Sequence, residues 1–240
     1  MATAPARVAR TPRTSRTDRA PRASRTAPKP RPFILVLAGV NGAGKSSVGG
    51  ALLADHGLSW FNPDTFAREL IAQLGLTPED ANARAWNLGR ERLEAAIAQG
   101  TNYAFETTLG ANTIPALLAG ASATHDVLMI FCGLSSPEQH IARVRARVAR
   151  GGHDIPETKI RERWVASRAN LIQLLPKLAQ LQVFDNSAEA PPGGDIDDPV
   201  LVLEMQAGKV IFPMPDDVAA LAATPGWARP VVQAAMELGR

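Results

Sequence analysis

From residue 33 onward, short apolar runs alternate with longer amphipathic stretches, the pattern of a parallel sheet whose strands are joined by crossover helices. The runs predict strands at 33–38, 58–61, 103–106, 127–132 and 182–184. The stretches between them predict helices at 45–55, 64–74, 78–99, 112–120, 137–150 and 156–180, the last bent at Pro176. A Pro- and Gly-rich segment at 188–198 reads as a linker. Beyond it, apolar runs at 200–206 and 209–212 flank Ala207 and Gly208 as a hairpin, and an apolar face recurs in a closing helix at 230–238. The fold class is α/β. The organisation expected is a tail at 1–32, a main domain at 33–187, and a hairpin-helix extension at 188–240 packed on it.

The first 32 residues follow no such pattern. Arg7, Arg10, Arg13, Arg16, Arg19, Arg22 and Arg25 recur at every third position among Ala, Thr, Ser and Pro, and nothing there builds a core. Nine basic residues against Asp18 put +8 on this segment, so the whole chain's +3 leaves −5 on the remainder. The tail is expected to be disordered. Three readings fit it: a solvated extension, a targeting segment, or a polyproline II comb of guanidinium groups making weak, salt-dependent contacts to nucleic-acid phosphates. Composition narrows the class further. With 240 residues and 45% hydrophobic positions the chain can bury a core, and its apolar runs are too short for a membrane-spanning helix. The single cysteine, Cys132, excludes an internal disulfide and fits a reducing, cytoplasmic setting. It reads as a small buried hydrophobe.

The chemistry begins where the first strand ends. Gly39, Val40, Asn41, Gly42, Ala43, Gly44, Lys45, Ser46 satisfies the pattern G-x-x-x-x-G-K-[ST], after a predicted strand and before a predicted helix. Glycines there let consecutive amides of Gly39, Asn41, Gly42, Ala43, Gly44, Lys45, Ser46 and Ser47 converge on phosphate, and the following helix adds its positive end. Lys45 is placed to reach the β- and γ-phosphates of ATP and Ser46 to ligate Mg²⁺. In sheets of this kind ligands lie beyond the carboxyl ends of the strands, which singles out Asp64 after the second strand and Glu106, Thr107 and Thr108 at the third. Asp64 suits a general base for an attacking hydroxyl or a metal carboxylate, and a helix cap is the alternative. Glu106, Thr107 and Thr108 suit an acceptor's hydroxyls, and a turn role is the alternative. The fourth strand ends in Phe131, Cys132 and Gly133 without an acidic residue, which argues against a motor-type ATPase and leaves Asp64 as the substitute. Arg143, Arg147 and Arg150 share one helical face, run into Gly151, Gly152 and His153, and are followed by Arg161 and Arg163. A hinged arginine hairpin near 147–163 is what a lid over the γ-phosphate requires, with His153 as a further phosphate or substrate contact.

Taken together, GVNGAGKSS, the NPD of 62–64, the FETT of 105–108 and the GGHDIP-to-NL stretch of 151–171 resemble the zeta toxin family of P-loop kinases over about 33–185. The resemblance implies a P-loop kinase-type parallel sheet flanked by helices. It also implies transfer of the γ-phosphoryl of ATP to a hydroxyl of a UDP-N-acetylglucosamine-like sugar nucleotide, and a possible antitoxin partner. It makes Asp64 the general base, puts Glu106 and Thr108 on the sugar nucleotide, and gives the lid arginines, Arg163 and either Arg147 or Arg150, to the γ-phosphate. His153 stands where the best-known toxins carry arginine. The competing reading is an ATP-binding regulatory or nucleic-acid-associated protein that uses its basic tail and hydrolyses slowly. These readings diverge at the tail: deleting 1–32 leaves phosphoryl transfer within about twofold of the full chain, measured by ADP release, if the chemistry lies in the main domain. Loss of activity on deletion favours the regulatory reading.

Overall fold

The computed structural model describes residues 30–54, 58–189 and 198–239. Most of the arginine tail, residues 1–29, and most of the linker, residues 190–197, lie outside them. Six strands form one mixed sheet in the order β2-β1-β3-β4-β5-β6. They are β1 (Phe33–Ala38), β2 (Tyr103–Thr107), β3 (Asp126–Gly133), β4 (Gln180–Asp185), β5 (Val200–Gln206) and β6 (Lys209–Phe212). The first four are parallel, and β5 and β6 add an antiparallel hairpin to the β4 edge. The hairpin turn takes positive φ at Ala207 and Gly208, as a two-residue hairpin connection demands.

Central β1 is covered on both faces, which is why it reads as a continuous apolar run rather than an alternation. Ile34, Val36 and Ala38 face the larger core, and Leu35 and Leu37 face a smaller one with Ala43, Leu53, Ile130 and Cys132. Register then brings the functional loops together. Ala38 stands level with Thr107 on β2 and Phe131 on β3, so the turns leaving all three strands emerge at one edge.

The helices are α1 (Lys45–Ala54), α2 (Pro63–Leu74), α3 (Pro78–Gln99), α4 (Thr113–Ala121), α5 (Pro137–Val148), α6 (Glu157–Leu174), α7 (Val218–Ala223) and α8 (Arg229–Leu238). Three of them share one start signal, a polar cap followed by proline. Asn62, Thr77 and Ser136 each accept a hydrogen bond from a backbone amide in the first turn of α2, α3 and α5. Gly75 and Gly100 close α2 and α3 in the left-handed conformation.

Four local expectations change. The strand expected at 58–61 contributes only one bridge, with Phe61 donating to Ala104 O at 2.9 Å and accepting from Glu106 N at 2.9 Å. Asn62 and Pro63 start α2 at once, so no room is left for a longer ladder. The long helix stops at Leu174 rather than bending, and Pro176 sits in a 3-10 turn, Leu175–Lys177. Helix α5 ends at Val148, so Arg150 lies in the following turn and not on the face carrying Arg143 and Arg147. Helix α7, capped by Asp217 at 2.9 Å, is too short to leave a periodic signal.

The chain beyond β6 returns to the sheet through Trp227. Its indole Nε1 donates to Asp185 Oδ1 at 3.0 Å at the end of β4, and its ring lies 6.3 Å from that of Phe131. A Cβ on Gly133 would fall 2.2 Å from the indole, so a residue without a side chain is what allows this approach. Trp227→Ala removes a buried indole and its hydrogen bond together, and is expected to cost about 3–5 kcal/mol in urea unfolding. A loss below about 1 kcal/mol would show that the C-terminal segment contributes little to the core.

Candidate active site at the carboxyl edge of the sheet

The turn between β1 and α1 is shaped by what surrounds it. Gly39 has φ of 139°, and a Cβ there would lie 2.2 Å from Cys132 O. Gly44 has φ of 83°, and a Cβ there would lie 2.3 Å from Asn186 Nδ2. Both positions are closed to any other residue by backbone conformation and by space. The loop is also held from behind: Asn186 donates to Ala43 O at 2.9 Å, and His140 Nδ1 donates to Asn41 O at 2.9 Å. The result is a tight turn into the N-terminus of α1, a cradle that fits an anionic phosphate group, though the Ala43 and Ser47 amides expected to join it donate instead to Val40 O and Gly44 O at 3.1 and 3.0 Å. Gly49, inside α1, packs on Leu37, where a Cβ would come within 2.4 Å of Cδ1.

Beside the cradle sits a carboxylate cluster assembled from three separate segments. Glu106 is 6% exposed, and its Oε1 accepts from Ser46 Oγ at 2.8 Å, Trp60 Nε1 at 2.9 Å and Asn62 Nδ2 at 3.0 Å. Three donors on one oxygen compensate the burial of this carboxylate. The carboxylate bonded to Ser46 is therefore Glu106. Asp64 stands nearby in the first turn of α2, and Asn62 takes the cap, with Thr65 N at 3.1 Å from its Oδ1. Asp64 is thus free of capping duty and faces Arg147, whose Nη1 lies 3.4 Å from Oδ2.

The loop after β2 is pinned differently. The Thr107 hydroxyl accepts from Leu109 N at 3.1 Å, and Leu109 is held at φ of 55°, a conformation rare for leucine. Buried Asn170 of α6 fixes it there, donating to Leu109 O at 2.8 Å. Asn170 belongs to the NL end of the stretch singled out in the sequence, and its work is to set the loop that presents Thr107 and Thr108.

Opposite lies the α5–α6 hairpin. Arg161 pairs with Glu138 at 2.5 Å and Arg145 with Glu157, tying the two helices together. Arg163 reaches inward to Asn41 Oδ1 at 2.7 Å, and its burial pulls its pKa below the usual arginine value, partly offset by the charge of Asp64. Arg147 Nη2 donates to His153 O at 3.2 Å, while the His153 ring meets Asn82 of α3 at 3.0 Å. Arg150 is exposed and does not line the cleft. Cys132 is 1% exposed and its burial pushes the thiol pKa up to about 12, so it is inert.

Lys45, Asp64, Glu106, Thr107, Thr108, His153 and Arg163 all border one cleft of about 290 Å³. Three contributors lacked a sequence signal: Trp60 and Asn186, which act only through partners remote in the chain, and the face of α3 that carries Asn82, Trp86 and Arg90.

Residues 34–171 match the family model of the AAA domain. The chain belongs to the AAA domain family. Among solved structures, this AAA-domain chain resembles the AvrRxo1-ORF1:ORF2 complex in its native form, with 16% identity, a TM-score of 0.56, and coverage of 87% of this chain and 71% of that one. The same complex with ATP gives 18% identity, a TM-score of 0.55, and coverage of 75% and 60%. This chain thus spans about 60% of the length of that protein in the sulphate- and ATP-bound structures. The PezAT toxin–antitoxin system of Streptococcus pneumoniae aligns at 14% identity and a TM-score of 0.47, over 67% of this chain and 69% of that one. No curated protein sequence matches. The likeness to AvrRxo1 shows a P-loop kinase-like fold. No helix among the described residues is long and apolar enough to cross a membrane.

The AAA-domain cradle carries a pH signature. His140 is 1% exposed, and desolvation lowers its pKa from 6.5 to about 4, against the opposing pull of its bond to Asn41. The unfolded chain therefore binds this proton at higher pH than the folded one. Stability from the neutral ring is full above about pH 6.5 and falls as pH drops toward 4, by up to about 3 kcal/mol. Urea unfolding at pH 7, 5.5 and 4 is expected to show this slope in the native chain and a shallower one in His140→Asn. Equal slopes would show that His140 does not sense acid.

Proposed function

We propose that this protein is an ATP-dependent small-molecule kinase of zeta-toxin type, acting on a hydroxyl of a UDP-N-acetylglucosamine-like sugar nucleotide or related metabolite. The observation that carries the reading is the convergence in one cleft of Asn41 and Lys45 from the phosphate loop, the carboxylate of Asp64, which Asn62 relieves of capping, and the partly buried cation Arg163. A nucleotidase needs no second half to its cleft, whereas here Asp64, Thr107 and Thr108 line space beyond the cradle. The shared fold with a protein solved with ATP supports the donor, and the sequence resemblance supports the acceptor class.

In this reading the amides of Gly42, Gly44 and Lys45 bind the donor's phosphates, and Lys45 and Arg163 neutralise charge that builds on the transferred phosphoryl. Asp64 orients the acceptor hydroxyl and takes its proton as the new O–P bond forms and the bond to the β-phosphate oxygen breaks, releasing ADP. Ser46, with Asp64 and Glu106, offers hard oxygen donors that would hold Mg²⁺, which shields phosphate charge when bound. Arg147 is a lid residue that moves from Asp64 to phosphate as the donor and acceptor enter, with His153 in a supporting role on the same lid. A partner protein that covers the cleft, as an antitoxin would, belongs to this reading as well.

Asp64→Asn is expected to lower kcat by 10³-fold or more in an ADP-release assay with UDP-N-acetylglucosamine, while ATP affinity by calorimetry stays within threefold. Lys45→Ala weakens ATP binding itself. Transfer that survives in Asp64→Asn would remove the general-base assignment.

A further inference from the structure

The face of α3 that borders the cleft has no part in the chemistry described so far. Ala81, Ala85, Gly89, Leu93 and Ala96 form the helix's buried stripe, and they are small enough to seat it. Trp86 lies just off that stripe, is 45% exposed, and belongs to none of the apolar clusters of the core. It lines the cleft together with Lys45 and Asp64. A large indole left half in water at the wall of a cleft is not explained by folding, whereas it is what a flat apolar ligand surface requires.

A paired cation flanks the indole. Arg90, one turn further on, lies 5.8 Å from its ring centroid. Both oxygens of Glu94 grip the Arg90 guanidinium, at 2.7 and 2.8 Å, so the cation beside the ring is fixed and largely neutralised. Gly89, between Trp86 and Arg90, also lines the cleft, and its missing side chain lets α3 seat on Phe61, where a Cβ would press to 2.9 Å. The wall is thus an exposed aromatic surface flanked by a paired cation. Asp64, Thr107 and Thr108 line the same cleft and are suited to hydroxyls.

We infer that Trp86 is the stacking platform for a planar heteroaromatic ring carried by the acceptor, so that the acceptor class is nucleoside-bearing and not a bare sugar or hydroxy acid. The inference rests on the kinase reading for its assignment of the acceptor side of the cleft. Trp86 is a specificity-determining residue that does not touch the transferred phosphoryl.

The test is titration calorimetry of the full chain, saturated with the nonhydrolysable ATP analogue AMP-PNP and Mg²⁺, against UDP-N-acetylglucosamine, ADP-glucose and uridine. The ring-free probes are N-acetylglucosamine 1-phosphate and gluconate. At least one ring-bearing compound is expected to bind below millimolar concentration and more tightly than either ring-free probe. Trp86→Ala should weaken that binding about tenfold and Trp86→Phe less than threefold, with AMP-PNP affinity unchanged in both. In turnover the loss appears in acceptor KM and not in kcat. Failure of every ring-bearing compound to bind, equal binding of ring-free probes, or native affinity in Trp86→Ala overturns the inference. Because binding is read without turnover, loss of phosphoryl transfer with the Trp86 effect intact would count against the kinase reading alone.

Discussion

The structure turns on a lack of room. Between a strand buried on both faces and the helix that follows, the chain reverses so close to Cys132 O and Asn186 that residues 39 and 44 are left without space for a side chain. That crowding fixes a tight turn at the N-terminus of α1, a place where backbone amides suit an anion. His140 and Asn186 keep it shaped by holding the carbonyls of Asn41 and Ala43 from the rear. The loops after β1 and β2 gather at this turn because Ala38 stands level with Thr107 on β2 and with Phe131 on β3.

Charge in the cleft is arranged in two tiers. Glu106 is sunk among three donors and takes no part in the ion pairs of the α5–α6 hairpin, so it behaves as a fixed element of the floor. Asp64 lies more openly and is matched by Arg147 from that hairpin. Arg163 belongs to the floor as well, since it is buried and tied to the cradle through Asn41. The division separates groups locked into the fold from an open ion pair whose members are free to exchange partners.

Much of this was legible in the sequence, and the reasons are local. The strand–loop–helix unit at 33–54 shows itself through an apolar run, fixed glycine spacing and a following lysine, all within a short window. Helix starts were legible through their cap-proline pairs, though the cap on α2 proved to be Asn62, which is what releases Asp64. The parts that escaped depend on distant partners. Trp60, Asn62, Ser46 and Glu106 meet only because Phe61 bridges to β2, and the apolar run at 58–61 overstated that bridge as a strand. The face of α3 escaped because nothing within the helix's own sequence marks which of its residues border a cleft built by remote segments. Arg150 was placed with Arg147 by helical spacing, and the early end of α5 at Val148 separated them.

The central claim is that the cleft passes phosphoryl from a nucleotide to an acceptor hydroxyl. Phosphorus NMR of the full chain with ATP, Mg²⁺ and a set of nucleotide sugars reads this directly. The account requires a new phosphomonoester resonance that grows in step with ADP in at least one mixture. ADP accompanied only by inorganic phosphate in every mixture, or no ADP at all, would contradict it.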